Sequence, residues 1–192
     1  METTVSSEEI FKGRLLHLKR DVVEAPDGSH QVREWIDHPG ASAVVPLLED
    51  GRVVMVRQFR YGPGLSFLEL PAGKFDGSSE TGEEVAHREL EEETGYRAGR
   101  LQLLGSLFNA VGYSNEVIHI YLGTDLVKTQ QALDEGEFLS VEFHDLQELI
   151  EKASSGQLQD MKTVSGLLMA QSRLEACRTS RARFLPVNRK TE

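Results

Sequence analysis

Hydrophobic and polar positions alternate only patchily at the start of the chain. Ile10 to Val23 carries an interrupted strand pattern, Ala25-Pro26-Asp27-Gly28 supplies a turn, and Gln31 to Asp37 returns as the partner of a hairpin. His38-Pro39-Gly40 separates this extension from the rest of the chain. From Ala41 the chain is more apolar: Ala43 to Leu48 and Arg52 to Gln58 read as two strands joined by a hairpin turn at Glu49-Asp50-Gly51, and Ser66 to Leu70 as a short third. After the Pro71-Ala72-Gly73 loop the period changes from two to 3.6 over Gly82 to Thr94, which predicts a helix. Strands are expected again over Leu101–Asn109, Val117–Leu122 and Phe138–Phe143, with a polar loop from Thr124 to Gly136. Asp145 is placed to cap a helix ending near Ala153. A last helix runs from about Gln159 to Cys177, with Met161, Val164, Leu167, Leu168 and Leu174 roughly on one face. Strands, one helix, more strands and terminal helices make an α+β layered fold.

The helix over Gly82–Thr94 has its ends written in sequence. Thr81 can cap it with Glu84 three residues on, the capping-box spacing, and Gly95 supplies the stop. At about 100° per residue, Val85, Ala86 and Leu90 define an apolar arc, with Glu89 and Glu93 inside it and Glu92 at its edge. Glu84, His87 and Glu91 point the other way, as on a solvated face. An unpaired charge on the buried side costs several kcal/mol or shifts its pKa, and a bound cation removes that cost. The i, i+3, i+4 spacing of Glu89, Glu92 and Glu93 stacks hard oxygen donors on neighbouring turns, which suits Mg²⁺. From the residues alone, a metal site and a surface acidic helix both remain open.

Other positions carry candidate chemistry. Arg60 ends RQFRY just before Gly62-Pro63-Gly64, where a planar guanidinium can grip a phosphate at two points; Arg57 reads equally as an exposed strand-end arginine. Glu69 is a lone carboxylate in an apolar strand, either a satisfied core group or one aimed at the acidic helix. Trp35, the only tryptophan, is a packed hairpin aromatic or a platform for a nucleobase. His119, alternating within VIHIYL, is expected to be a packed or hydrogen-bonded strand histidine.

Composition narrows the classes. The 192 residues, 39% hydrophobic and 27% charged, suit one globular domain with a small extension. A net charge of −10 argues against nucleic-acid binding. Cys177 is the only cysteine, so an internal disulfide or cysteine zinc site is excluded, and a reducing, cytoplasmic compartment is expected. No secretory pattern opens the chain and no apolar run reaches about 18 residues, so no membrane span is expected.

The segment from Gly73 to Tyr96 resembles the Nudix box, G-x5-E-x7-R-E-U-x-E-E-x-G-U with U a bulky apolar residue. Glu80, Arg88, Glu89, Leu90, Glu92, Glu93, Gly95 and Tyr96 fall in register, while Gly73 stands one residue further from Glu80 than the pattern asks. Outside the box, REWIDHPGA, VRQFRYGPG, ELPAGK, VGYSNE, DEGEF and MKTVSGLLMA are similar to the ADP-ribose pyrophosphatase and nucleoside-diphosphate-sugar hydrolase group. Members specific for ADP-ribose usually carry a proline where this chain has Val111, which leaves ADP-ribose and another diphosphate sugar such as GDP-mannose both open.

The resemblance implies an α/β/α sandwich with a mixed sheet and an N-terminal β-hairpin extension over 1–40 and a Nudix domain over 41–177; the tail over 178–192, basic through Arg178, Arg181, Arg183, Arg189 and Lys190 and without periodicity, is expected to be flexible. It implies Mg²⁺-dependent hydrolysis of a nucleoside diphosphate sugar, with Mn²⁺ as a substitute. Glu89, Glu92, Glu93 and the Ala72 carbonyl would hold metal, Glu80 and Arg88 would form a supporting ion pair, Arg60 would contact the diphosphate, and Glu69 would border the metal or terminal-sugar pocket. The general base would come from Glu137, or Glu135 beside it. The resemblance further implies a homodimer that exchanges N-terminal strands, Arg33 and Trp35 completing the partner's nucleoside pocket. A non-catalytic module that senses a nucleotide sugar is the competing class; retention of every box glutamate favours the enzyme.

Overall fold

The computed structural model describes residues 1–77 and 79–183, which form ten strands and three helices. β1 (Thr3–Lys12), β2 (His17–Glu24) and β3 (His30–Ile36) make an antiparallel sheet at the N-terminus. The expected hairpin is therefore three strands: the broken alternation before Val23 is two elements, separated where Gly13 donates its amide to the Leu16 carbonyl at 2.8 Å. Every residue of β1 is exposed. Hydrogen bonds from this sheet's end to the 110–115 turn include Ile36 to Tyr113 at 2.8 Å.

The body holds two sheets. β4 (Ala41–Pro46), β7 (Ala72–Lys74), β8 (Tyr96–Phe108) and β9 (Val117–Lys128) form a mixed sheet in the order β7-β4-β9-β8, with β4 and β9 parallel. β5 (Arg52–Arg60), β6 (Leu65–Glu69) and β10 (Leu139–Asp145) form an antiparallel one in the order β10-β5-β6. The turn at Glu49–Gly51 thus does not close the expected hairpin. The turn itself forms, Gly51 donating to the Leu48 carbonyl at 3.0 Å and Leu48 to the Arg52 carbonyl at 2.8 Å, but beyond a bridge between Leu47 and Val53 β4 and β5 part into different sheets, because both are apolar on both faces and each can be covered on two sides.

Alternation along β4 shows the layering. Val44 packs with Ala86, Leu90, Ala98 and Tyr121 beneath α1 (Gly82–Thr94). Ala43 and Val45 face the opposite side, where Met55, Leu70, Ile120 and Leu167 meet α3 (Met161–Arg183) and Leu149 of α2 (Leu146–Ser154). The mixed sheet is thereby sandwiched between helices, as expected. α3 approaches it closely: a Cβ on Gly166 would lie 3.2 Å from Ile120 Cγ2 and 3.3 Å from Val45 Cγ2. α3 also runs on to Arg183, beyond the expected end at Cys177, so the start of the basic tail is helical; Arg189 and Lys190 lie outside the described residues.

α1 has the ends its sequence predicts. The Thr81 hydroxyl accepts from the Glu84 amide, the Glu84 carboxylate accepts from the Thr81 amide, and Gly95 closes the helix at φ 69°, a left-handed conformation that favours glycine. Since Leu90 is fully buried on the sheet, Leu90→Ala should cost about 2–5 kcal/mol in chemical denaturation; a loss under about 1 kcal/mol would mean that α1 is not held by this contact.

Candidate active site

The turn from β6 into β7 brings Ala72 and Gly73 against the C-terminal half of α1. A Cβ on Gly73 would lie 2.0 Å from the Glu89 carboxyl carbon, so glycine here leaves the space that the Glu89 carboxylate occupies. Glu93 is 3% exposed and accepts the Ala72 amide at 3.0 Å. No cationic side chain pairs with it among the described residues, and burial pushes its pKa up to about 8. Burial also raises Glu89, to about 7, although Arg88 Nη1 donates to it at 2.6 Å.

Arg88 is the hub of the cleft wall. Its guanidinium reaches Glu80 at 3.3 Å, Glu92 at 3.4 Å and the Lys74 carbonyl at 3.1 Å, and Glu80 in turn accepts the Asp76 amide at 2.8 Å. The box loop is thus tied to the helix by ion pairs and main-chain hydrogen bonds together. Glu92 is more exposed than Glu89 and lies at the cleft surface, as its edge position on the apolar arc implied.

A second charged cluster lies behind this wall. Glu69 is 2% exposed, and Arg60 grips it with Nε and Nη2, each at 2.8 Å. Lys162 adds a contact to the same carboxylate and reaches Asp160 at 3.0 Å. Burial works to raise the Glu69 pKa, but the Arg60 and Lys162 contacts outweigh it and hold the group below its ordinary value. The alternative of a satisfied core carboxylate is met at Glu69, and its cations are also wall residues of the cleft.

Arg60, Ala72, Arg88, Glu89 and Glu92 line one cleft of about 580 Å³ with Glu135 and Glu137, which approach from the loop before β10. Gln58 Nε2 donates to Glu137 at 3.4 Å. Two expected residues lie elsewhere in this chain. Arg33 pairs with Glu2 at 3.1 Å; Trp35 donates Nε1–H to Asp21 at 2.8 Å, with Lys19 Nζ 5.1 Å from the ring centroid. Arg57 pairs with Glu142, and His119 bonds Ser106 at 2.7 Å. Lys162 and Asp160 escaped the sequence reading, because MKTVSGLLMA registers as an apolar helix face; the signal available was an aspartate at N-cap spacing immediately before it. Among the described residues, no three Asp, Glu, His or Cys side chains are gathered closely enough to hold a metal.

A family model described as NUDIX domain matches residues 37–164, and one described as nucleoside diphosphate sugar hydrolase N-terminal domain matches residues 2–36. The chain belongs to the Nudix family. It is 36% identical over 172 residues to an ADP-ribose pyrophosphatase of Bacillus subtilis (strain 168), a match covering 88% of this chain and 92% of that one. It is 39% identical over 165 residues to a methanol dehydrogenase activator of Bacillus methanolicus, covering 85% and 89%. A solved structure of an ADP compounds hydrolase shares the fold, with a TM-score of 0.80 at 24% identity over 92% of this chain and 95% of that one.

The raised carboxylates set the sign of a pH dependence. Between pH 4.5 and about 8 the folded chain retains protons on Glu93 that the unfolded chain releases, and Glu89 does the same up to about 7, so stability falls as pH rises through this window. Glu69, held low, acts oppositely: its stabilisation is present above pH 4.5 and lost only on acidification. Protein treated with EDTA should therefore unfold at lower denaturant concentration at pH 8.5 than at pH 6, and Glu93→Gln should reduce the difference. Equal pH differences in the two proteins would remove Glu93 as the source.

Proposed function

We propose that this protein, a Nudix pyrophosphohydrolase, cleaves the diphosphate bond of a nucleoside diphosphate sugar, with ADP-ribose the favoured substrate and AMP and ribose 5-phosphate the products. The observation that carries the reading is the half-buried Glu89 in a cleft that also presents Arg60 and Glu137, with the buried Glu93 one helical turn behind it.

Nudix hydrolases generally use divalent metals, and the donors here are hard oxygens: the buried Glu93, without a cationic partner among the described residues, the half-buried Glu89 and the more exposed Glu92. The three are not gathered at ligating distance, Glu89 and Glu92 both being held by Arg88, so an ion would have to draw them together in place of those contacts. Glu89, Glu92, Glu93 and the Ala72 carbonyl would hold Mg²⁺, with Mn²⁺ as a substitute. Bound there, the ion would supply positive charge against the diphosphate oxygens and make water a better nucleophile. Arg60 binds a diphosphate oxygen, and Glu80 with Arg88 keeps the loop docked on the helix. Glu137, with Glu135 as second choice, takes the proton of the attacking water; the new P–O bond forms as the bridging P–O bond breaks and its electrons leave on the departing phosphate.

The extension serves assembly in this reading. β1 is exposed throughout, with Val5, Ile10 and Phe11 uncovered, as suits a homodimer in which Arg33 and Trp35 enter the partner's nucleoside pocket. The single cysteine suits a reducing cytoplasm. No described helix is long and apolar enough to cross a membrane. Val111, exposed in the 110–115 turn, supports a second reading in which GDP-mannose or another diphosphate sugar is preferred.

Phosphate release from a panel of nucleotide sugars, coupled to a phosphatase and run with and without Mg²⁺, ranks these substrates. We expect turnover with Mg²⁺ and none in EDTA; binding without turnover of any member would instead support a sensor. Glu93→Gln keeps an oxygen for the Ala72 amide, so it should fold normally yet lose at least about 100-fold in kcat, as removal of a directly acting group does. A near-native rate would take Glu93 out of the metal shell. Light scattering after size exclusion reads the assembly: a monomer with full activity would rule out the shared pocket.

A further inference from the structure

Lys162 is not needed to neutralise Glu69; its own charge is balanced by Asp160. The carboxylate of Glu69 already has a full counter-charge in the Arg60 guanidinium, which meets both its oxygens. Yet a lysine whose side chain is itself largely buried is brought to Oε2 from the start of α3, a separate element.

That lysine is firmly anchored. Asp160 accepts its ammonium at 3.0 Å and, through the same Oδ2, the Thr163 amide at 3.0 Å, so the charge is fixed to the first turn of the helix. Thr163 is fully buried and its hydroxyl accepts the Leu70 amide at 2.9 Å, which ties that turn to the residue immediately after Glu69. Glu69 is therefore held from both its main-chain side and its carboxylate side by one helix end. Arg60, by contrast, remains partly exposed at the cleft, and its Nη1 has no protein acceptor among the described residues. A planar fork binds a phosphate well only when its orientation is set before the ligand arrives.

We infer that Lys162 is a positioning residue: it locks the Glu69 carboxylate, and through it aims the Arg60 guanidinium into the cleft for the substrate diphosphate. This rests on the proposed contact between Arg60 and the diphosphate. Without Lys162 the carboxylate keeps its arginine but loses the contact that stops the pair from turning together, so binding suffers while the chemical step, performed elsewhere in the cleft, does not.

The test is a double-mutant cycle on ADP-ribose hydrolysis in saturating Mg²⁺, using Lys162→Gln, Arg60→Ala and the pair. Lys162→Gln should raise KM roughly tenfold, the scale of one charge-assisted hydrogen bond, with kcat nearly unchanged. Lys162→Arg should restore most of the loss. In the Arg60→Ala background Lys162→Gln should add almost nothing to KM, because the group it aims is gone, while the denaturation midpoint falls as Glu69 loses its second cation. Full additivity would mean that Lys162 acts on the substrate directly, and it would overturn the inference. So would an unchanged KM in Lys162→Gln, an equal fall in kcat, or failure of that variant to fold, which would make the lysine a structural strut. If Arg60→Ala itself leaves KM unaltered, the assignment of Arg60 to the diphosphate has failed instead.

Discussion

Two carboxylates set into the seam between α1 and the β6–β7 turn are the constraint on which this molecule depends. Charge in that position is unfavourable in the isolated protein, as the upward pressure on Glu89 and Glu93 shows. The surroundings do not relieve it fully. Arg88 serves Glu89, but among the described residues the Glu93 carboxylate receives only the Ala72 amide. The Glu93 carboxylate thus stays without a cationic partner among the described residues.

The sandwich makes that arrangement tolerable. Val44, Ala86 and Leu90 hold α1 on one face of the mixed sheet, while Val45, Leu70 and Leu167 hold α3 on the other. With both helices docked on the same strands, the end of β6 and the start of β7 lie between them, and chemistry collects there because two helix surfaces and a loop converge on one short turn. Gly73 leaves room for this, since a side chain there would meet the space of the Glu89 carboxylate. The cleft's cations are likewise held by acids, Arg88 by Glu80, Glu89 and Glu92, and Arg60 by Glu69. In a chain of net charge −10, such pairing keeps positive groups oriented within a negative surface.

Much of this was legible in the residues. The capping box, the Gly95 stop and the inward direction of Glu93 follow from local rules, because a helix's ends and faces depend on near neighbours in sequence, and α1 forms as those rules require. The box pattern placed Glu80 against Arg88 for the same reason: the two groups lie within eight residues of one another. The breaks in patterning before Val23 and after Leu48 were visible as well, but not what they meant. Three strands stood where two were expected, and the turn at Glu49–Gly51 leads between sheets, because an apolar strand carries no local mark of which neighbour it will pair with.

What the sequence by itself determined, then, is the family, the acidic helix with its buried edge, and a part of the cleft: Arg60, Ala72, Arg88, Glu89, Glu92, Glu135 and Glu137. The tertiary structure alone decided that Lys162 and Asp160, about 90 residues beyond Glu69, belong to the same charged cluster, and that Arg33 and Trp35 stay on an exposed sheet away from their own chain's cleft. The physical reason is range. Capping, periodicity and motif spacing act within a few turns of chain, whereas the partner of a buried carboxylate is selected by which elements the core brings together.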